Sequence, residues 1–164
     1  MKACVDVSYR AGEAVSACLL FARWQADRPL RSLVERTSPV APYIPGQFYR
    51  RELPPLLATL RQVITEVDVV IVDGYVWLGR EQRPGLGAHL YEALDERAAV
   101  IGVAKTTFHN TPAVEVRRDR SARPLYVTAV GMTTEAAARH IREMHGSHRL
   151  PTLLREVDQL SRRA

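Results

Sequence analysis

Lysine is almost absent from this chain: Lys2 and Lys105 are the only two among 23 basic residues, so arginine carries the formal net charge of +5. The planar guanidinium binds phosphate bidentately, and a basic surface built from it suits a nucleic-acid partner. The compositional drift of a GC-rich genome would leave the same bias, so charge permits that partner without demonstrating it. Cysteine is as scarce, with only Cys4 and Cys18, both in apolar, strand-like surroundings. That excludes a disulfide framework and a zinc ligand pattern, and predicts reduced, packed thiols in a cytoplasmic protein. No apolar run is long enough to span a bilayer, and Met1–Asp6 has no secretory core, so a membrane is not an expected partner. Internal repeats and low-complexity segments are also missing. What is there is ordinary for a globular protein: 164 residues, 46% apolar and 25% charged, expected to form a single domain over 1–164 with its own core.

The pattern centres on Val67–Gly74, a short β-branched run that ends on Asp73 and Gly74. A run apolar on both faces predicts a strand buried in mid-sheet. Asp73 then stands at its carboxyl end, where open α/β sheets bind their ligands, although Asp-Gly is also a plain turn signal. Ahead of it, Met1–Tyr9, Ala14–Trp24 and Leu30–Val40 read as three strands, the last more polar and toward an edge. Ala11–Glu13 reads as the turn between the first two. The Pro39–Gly46 loop leads to a helix with Leu53, Leu56, Leu57, Leu60, Val63 and Ile64 on one face. Pro54 and Pro55 belong in a first turn, which makes Gln47–Glu52 a separate turn or a kinked start. Tyr75–Arg83 reads as an irregular loop, Pro84–Asp95 as a helix, and Ala99–Lys105 as a buried strand parallel to the central one. Val114–Arg118 and Pro124–Val130 form an antiparallel pair. Helices follow at Thr134–His145, capped by Thr133 or Thr134, and from about Pro151 to Arg162. The sum is an α+β to α/β arrangement.

The acids fall suggestively on this frame. Asp6 lies inside the first strand between Val5 and Val7, where an ionised carboxylate is costly unless paired or metal-bound. Glu52 lies near a helix start and Asp73 at a strand end. Asp158 sits four residues after Leu154 and beside Val157, leaning toward the packed face of the last helix. Carboxylates gathered at one sheet edge repel one another without a counter-cation, and a hard divalent ion such as Mg²⁺ supplies it. Such a centre suits in-line phosphoryl displacement.

Ordered motifs along nearly the whole chain resemble the endonuclease V family of ribonuclease H-like nucleases. Val5-Asp6-Val7-Ser8-Tyr9 is similar to the family's first-strand motif. Pro42–Gly46 followed by Arg51-Glu52 is similar to its wedge loop and Phe-Arg-Glu motif, and Val72-Asp73-Gly74 to its second aspartate motif. Gly85–His89 resembles Gly-Leu-Ala-Ser-His, Ile101–Lys105 the lysine motif, Pro124–Thr128 a late strand, and Arg149-Leu150-Pro151 with Arg155 and Asp158 the C-terminal motif. The resemblance implies an α/β, ribonuclease H-like three-layer fold, a central mixed β-sheet with helices on both faces. It implies a metal-dependent endonuclease hydrolysing DNA or RNA near deaminated, inosine-type or unpaired bases. Asp6, Glu52, Asp73 and Asp158 would hold Mg²⁺ or Mn²⁺, and Lys105 would contact the phosphate, making Asp6, Glu52, Asp73 and Lys105 the catalytic set. Tyr43 would stack beside an extruded base, with Pro45, Gly46 and Gly74 also lining the substrate. His89 reads as a packed or hydrogen-bonded histidine rather than a ligand.

Departures mark a short, divergent member. Gly74–Arg83 carries bulky Tyr75, Val76 and Trp77 in place of the family's glycines, and lacks its histidine. Gly131-Met132 stands where the family has Gly-His, and the segment from Lys105 to Val114 is short. Two alternatives therefore stay open: a catalytically weak nucleic-acid-binding protein on the same fold, or a hydrolase of a different nucleotide substrate.

Overall fold

The computed structural model describes residues 1–164, in which nine strands and four helices alternate. Seven strands make one mixed sheet in the order β3-β2-β1-β4-β7-β9-β8. β1 (Lys2–Arg10) and β2 (Glu13–Phe21) form a hairpin on a two-residue turn, Ala11-Gly12, in which both residues have positive φ. That geometry matches the right-handed twist of the flanking strands. β3 (Arg31–Thr37) pairs antiparallel with β2 and forms one edge, as its polar pattern implies. The expected second and third strands were too long: β2 stops at Phe21, where an Arg23–Ala26 turn begins, and β3 stops at Thr37, before the proline loop.

β4 (Val69–Asp73) is the predicted central strand, parallel to β1 on one side and to β7 (Ala99–Ala104) on the other. β9 (Leu125–Val130) runs antiparallel to β7 and carries short β8 (Val114–Val116) at the far edge. Successive strand residues face opposite ways, and the core divides accordingly. Ala3, Val5, Val70, Val72 and Val100 pack under α1 (Tyr49–Leu60) and α2 (Leu86–Ala93). Cys4, Ile71, Ile101 and Val127 pack under α3 (Thr134–Glu143) and α4 (Thr152–Arg163). The molecule is thus the three-layer, ribonuclease H-like α/β fold. Cys4 and Cys18 are free, buried and on opposite faces, as packed thiols should be. No helix is long and apolar enough to cross a membrane.

Three local expectations fail. α1 runs continuously through Pro54 and Pro55, well beyond its first turn. The prolines remove the donors for the Arg50 and Arg51 carbonyls, and burial of Pro55, Leu56, Thr59 and Leu60 holds the helix in spite of that. Its end at Leu60 leaves Val63 and Ile64 in a following turn rather than on the helix. The supposedly irregular 75–83 loop instead holds a small hairpin, β5 (Trp77–Leu78) with β6 (Arg83–Pro84). At the start of α3, the Thr133 hydroxyl accepts from the Ala136 N–H at 3.2 Å, which makes Thr133 the cap.

The 74–78 segment is bolted down. Tyr75 donates its hydroxyl to the Thr106 carbonyl at 2.7 Å, Val76 N–H donates to Thr128 Oγ1 at 2.9 Å, and Trp77 Nε1 to the Ala129 carbonyl at 3.2 Å. Three glycines make room for it. A Cβ on Gly102 would lie 2.5 Å from the Gly74 carbonyl oxygen and 2.9 Å from Val76 N, while Gly85 and Gly87 abut Tyr75 and Val76. Backbone atoms cannot give way cheaply, so Gly102→Ala is expected to cost about 1–3 kcal/mol, the range for overpacking. A urea midpoint unchanged from wild type would contradict this.

Candidate functional site

Strand register alone brings two of the acids together. β1 and β4 are paired at Lys2–Val69, Ala3–Val70 and Cys4–Ile71, and then part. Two residues further along each strand stand Asp6, in the middle of β1, and Asp73, at the carboxyl end of β4, level with one another and on the same face as Cys4 and Ile71. β4 stays paired with β7 as far as Asp73–Val103, and Lys105, two residues beyond Val103, faces the same way. Its ammonium lies 3.7 Å from the Asp73 carboxylate. α4 crosses this opening, and a cleft forms in which Asp6, Asp73, Lys105 and Asp158 meet apolar walls from Val103, Leu154 and Val157. Gly74, with φ +107°, turns the chain away while its N–H donates to the Val103 carbonyl at 3.0 Å.

Glu52 comes from the other helical layer, on the first turn of α1. It does not line the cleft, yet its carboxyl is in electrostatic reach of both Asp6 and Asp73. Burial pushes Glu52 up to about 7; Asp6 and Asp73 add to that as like charges, while Tyr9 and Arg51 oppose it. Asp6 is pushed up to about 6, again mainly by burial, with a Ser161 hydrogen bond opposing and Asp158 and Asp73 reinforcing. Tyr9 is half-buried beside Glu52, its buried hydroxyl without a well-formed hydrogen bond, and the Arg51 guanidinium lies over its ring at 4.0 Å. Asp158 pairs with Arg162 at 3.0 Å on the solvent side of α4. Neither Asp6 nor Glu52 has a basic partner in ion-pair range.

Asp6, Asp73 and Asp158 thus share one cleft, with Glu52 in electrostatic reach from the other helical layer, although no three acids are drawn in far enough to enclose a single ion. Two half-buried, unneutralised carboxyls flanked by two more are a donor set that a hard divalent cation fits, since oxygen ligands and residual waters are what such an ion takes. The remaining expected residues lie apart. Tyr43 projects into solvent, 61% exposed, on the loop that enters α1; Gly46 (φ +78°) turns that loop, with Gln47 N–H donating to the Ile44 carbonyl at 2.9 Å. His89 stacks on Tyr49 with ring centroids 3.7 Å apart, and burial lowers its pKa, as suits a neutral packing residue.

Several contributors were given no structural role from sequence, Arg149 included although its motif was noted. Arg149 donates to the carbonyls of Arg123 (3.2 Å), Pro124 (2.7 Å) and Lys105, tying down the strand end that carries the lysine. Buried Arg118 donates to six carbonyls between Ile141 and His148, fixing the corner from which α4 departs. Ser161 is a buried hydroxyl at the fourth residue after Val157 and the eighth after Leu153, both buried. A polar residue on an apolar helical stripe was the signal that could have found it.

The endonuclease V family model matches residues 1–141. Endonuclease V of Pyrococcus horikoshii is 31% identical over 161 residues, covering 98% of this chain and 72% of its own. That of Rhodospirillum centenum is 33% identical, covering 94% of this chain and 74% of its own. Among solved structures, human ENDOV superposes with a TM-score of 0.74 at 25% identity, over 98% of this chain and 82% of its own. Ciona intestinalis endonuclease V, in complex with a 24mer DNA containing an inosine followed by a ribo-adenosine, gives a TM-score of 0.78 at 18% identity, over 98% and 83%. The family match stops short of α4, so Asp158 and Ser161 stand outside it, but the relatives align across nearly all of the sequence: the chain belongs to the endonuclease V family.

Proposed function

We propose that this chain, acting as one unit over 1–164, is a divalent-metal-dependent endonuclease that hydrolyses phosphodiester bonds in DNA or RNA. The observation that carries this reading is the level placement of Asp6 and Asp73 on strands that have parted, with Asp158 on the same cleft and Glu52 in electrostatic reach from the opposite helical layer. Asp6, Glu52, Asp73 and Asp158 would hold Mg²⁺ or Mn²⁺. When bound, the metal activates water and neutralises charge on the leaving oxygen.

The chain's own side chains do the rest. The apolar walls of the cleft limit solvent around Asp6, which strengthens its hold on any cation. Lys105, kept beside Asp73 and anchored through Arg149, offers a cation to the scissile phosphate. Tyr43, on a stiff proline loop, offers an aromatic face to a base, and such stacking is worth about 1–3 kcal/mol. Inosine-containing DNA, the ligand of the Ciona relative, is the first substrate to test.

A second reading, a family nuclease without inosine preference, is favoured by one observation. Tyr75 and Val76 are buried and Trp77 is half-buried, so the 74–78 segment fills its own space. One experiment separates the readings. Labelled oligonucleotides bearing inosine, uracil, a flap or no lesion are incubated with Mn²⁺, Mg²⁺ or EDTA. Cutting of the inosine strand alone supports the first reading, and cutting of flapped or unmodified strands the second. Salt-sensitive binding without any nick would leave a binding protein and remove the enzyme.

A further inference from the structure

Two serines fasten α4 across β1. The Ser161 hydroxyl, fully buried, lies 2.6 Å from Asp6 Oδ2 and 2.9 Å from the Asp158 carbonyl oxygen. It has one hydrogen to give, and the carboxylate is both the closer and the stronger acceptor. From the same face of β1, the Ser8 hydroxyl donates to the Ser161 carbonyl at 2.6 Å. Docking of α4 alone would be served as well by an apolar residue at 161, in line with Leu153 and Val157, because a buried hydroxyl is costly unless it is bonded. The hydroxyl is instead spent on one oxygen of Asp6. The other oxygen stays available, and Asp158 follows one helical turn away on the same cleft.

Resting on the metal reading above, we propose that Ser161 is a positioning residue: it fixes the Asp6 carboxylate, and with it the approach of Asp158, for a divalent cation. Groups that orient a metal ligand from behind typically change metal affinity 10–100-fold when removed. Ser8, which bonds only the Ser161 backbone, docks the helix without touching the carboxylate.

The test is Mn²⁺ titration by calorimetry together with melting in EDTA. For Ser161→Ala, Mn²⁺ is expected to bind about 10–100-fold more weakly, and the EDTA melting temperature falls as well because a buried hydrogen bond is lost. Ser8→Ala is expected to melt lower yet keep Mn²⁺ affinity within about threefold, the lesser loss belonging to a group that does not touch the ligand. Ser161→Cys keeps the shape with a weaker donor, and its affinity should fall between the two, which preserves the test if the alanine variant does not fold. Wild-type Mn²⁺ affinity in Ser161→Ala or Ser161→Cys would overturn the proposal alone, as would an equal loss in Ser8→Ala. A wild-type chain that takes up no Mn²⁺ would overturn the metal reading and the proposal with it.

Discussion

Asp73→Asn is expected to lower cleavage more than about 100-fold, beyond what loss of a merely supporting group costs a metal centre, while barely changing stability. The side chain is exposed and its only ionic contact is with Lys105 at 3.7 Å, both ends in solvent. Exposed pairs of that kind contribute about 0–1 kcal/mol, so the variant should melt within a few degrees of wild type. Asparagine keeps the shape and one acceptor oxygen but removes the charge. Because Asp73 ends a strand whose register is set by its neighbours on β7, the backbone has no reason to move. Calorimetry should show Mn²⁺ binding weakened in parallel with cleavage. An Asp73→Asn protein that nicks at the wild-type rate would remove the carboxylate rim as the seat of the chemistry.

The second large effect is on stability, and its sign is unusual for acids. Asp6 is raised from 3.8 to about 6 and Glu52 from 4.5 to about 7, in both cases chiefly by burial. A carboxyl with a raised pKa binds its proton more tightly folded than unfolded. Its contribution is therefore fully present below about pH 4 and is lost as pH rises through the folded values. Without metal, the protein should lose stability between about pH 4 and pH 7 and then level off. At about 1.4 kcal/mol per unit, the two groups together set an effect of a few kcal/mol. Glu52→Gln should accordingly melt above wild type at pH 8 in EDTA, with the gap closing toward pH 4. Comparing variant with wild type cancels the groups that do not couple to Glu52, and the relief of Asp6 and Asp73 from its charge adds with the same sign. Mn²⁺ should reverse the penalty in wild type and do so far less in the variant, since only a ligand-competent native state gains from binding. Equal melting of wild type and Glu52→Gln at pH 8 would show that Glu52 carries no buried charge.

Much of this was legible before any coordinates, for reasons that differ by element. The β-branched run at Val67–Asp73 and the alternation of β1 made both strands plain, and once the two are parallel, register alone makes Asp6 and Asp73 neighbours. Hairpin pairing of β1 with β2 and the Thr133 cap followed from local chemistry. What local chemistry could not carry was tertiary compensation. Pro54 and Pro55 argue against a helix interior, and only burial of Leu56 and Leu60 against the sheet overrules them. Strands of two residues, such as Trp77–Leu78, are too short to show a period at all. In sequence the bulky residues there were only a departure from the family's glycines; the structure shows them held by Thr106, Thr128 and Ala129, with Gly85, Gly87 and Gly102 as the matching small surfaces. Ser161 was hidden because its partner is 155 residues away.

That separation has a consequence for when the rim can function. Asp6 lies on the first strand and the hydroxyl that orients it on α4, so the β1–β9 sheet by itself carries Asp6 and Asp73 without the helix that clasps one of them. A chain cut or stalled anywhere before α4 keeps Asp6, Glu52, Asp73 and Lys105 but loses both Asp158 and the clasp on Asp6. Under the proposed function, such a chain is expected to bind metal and cut nucleic acid poorly, a dependence that comes with the topology.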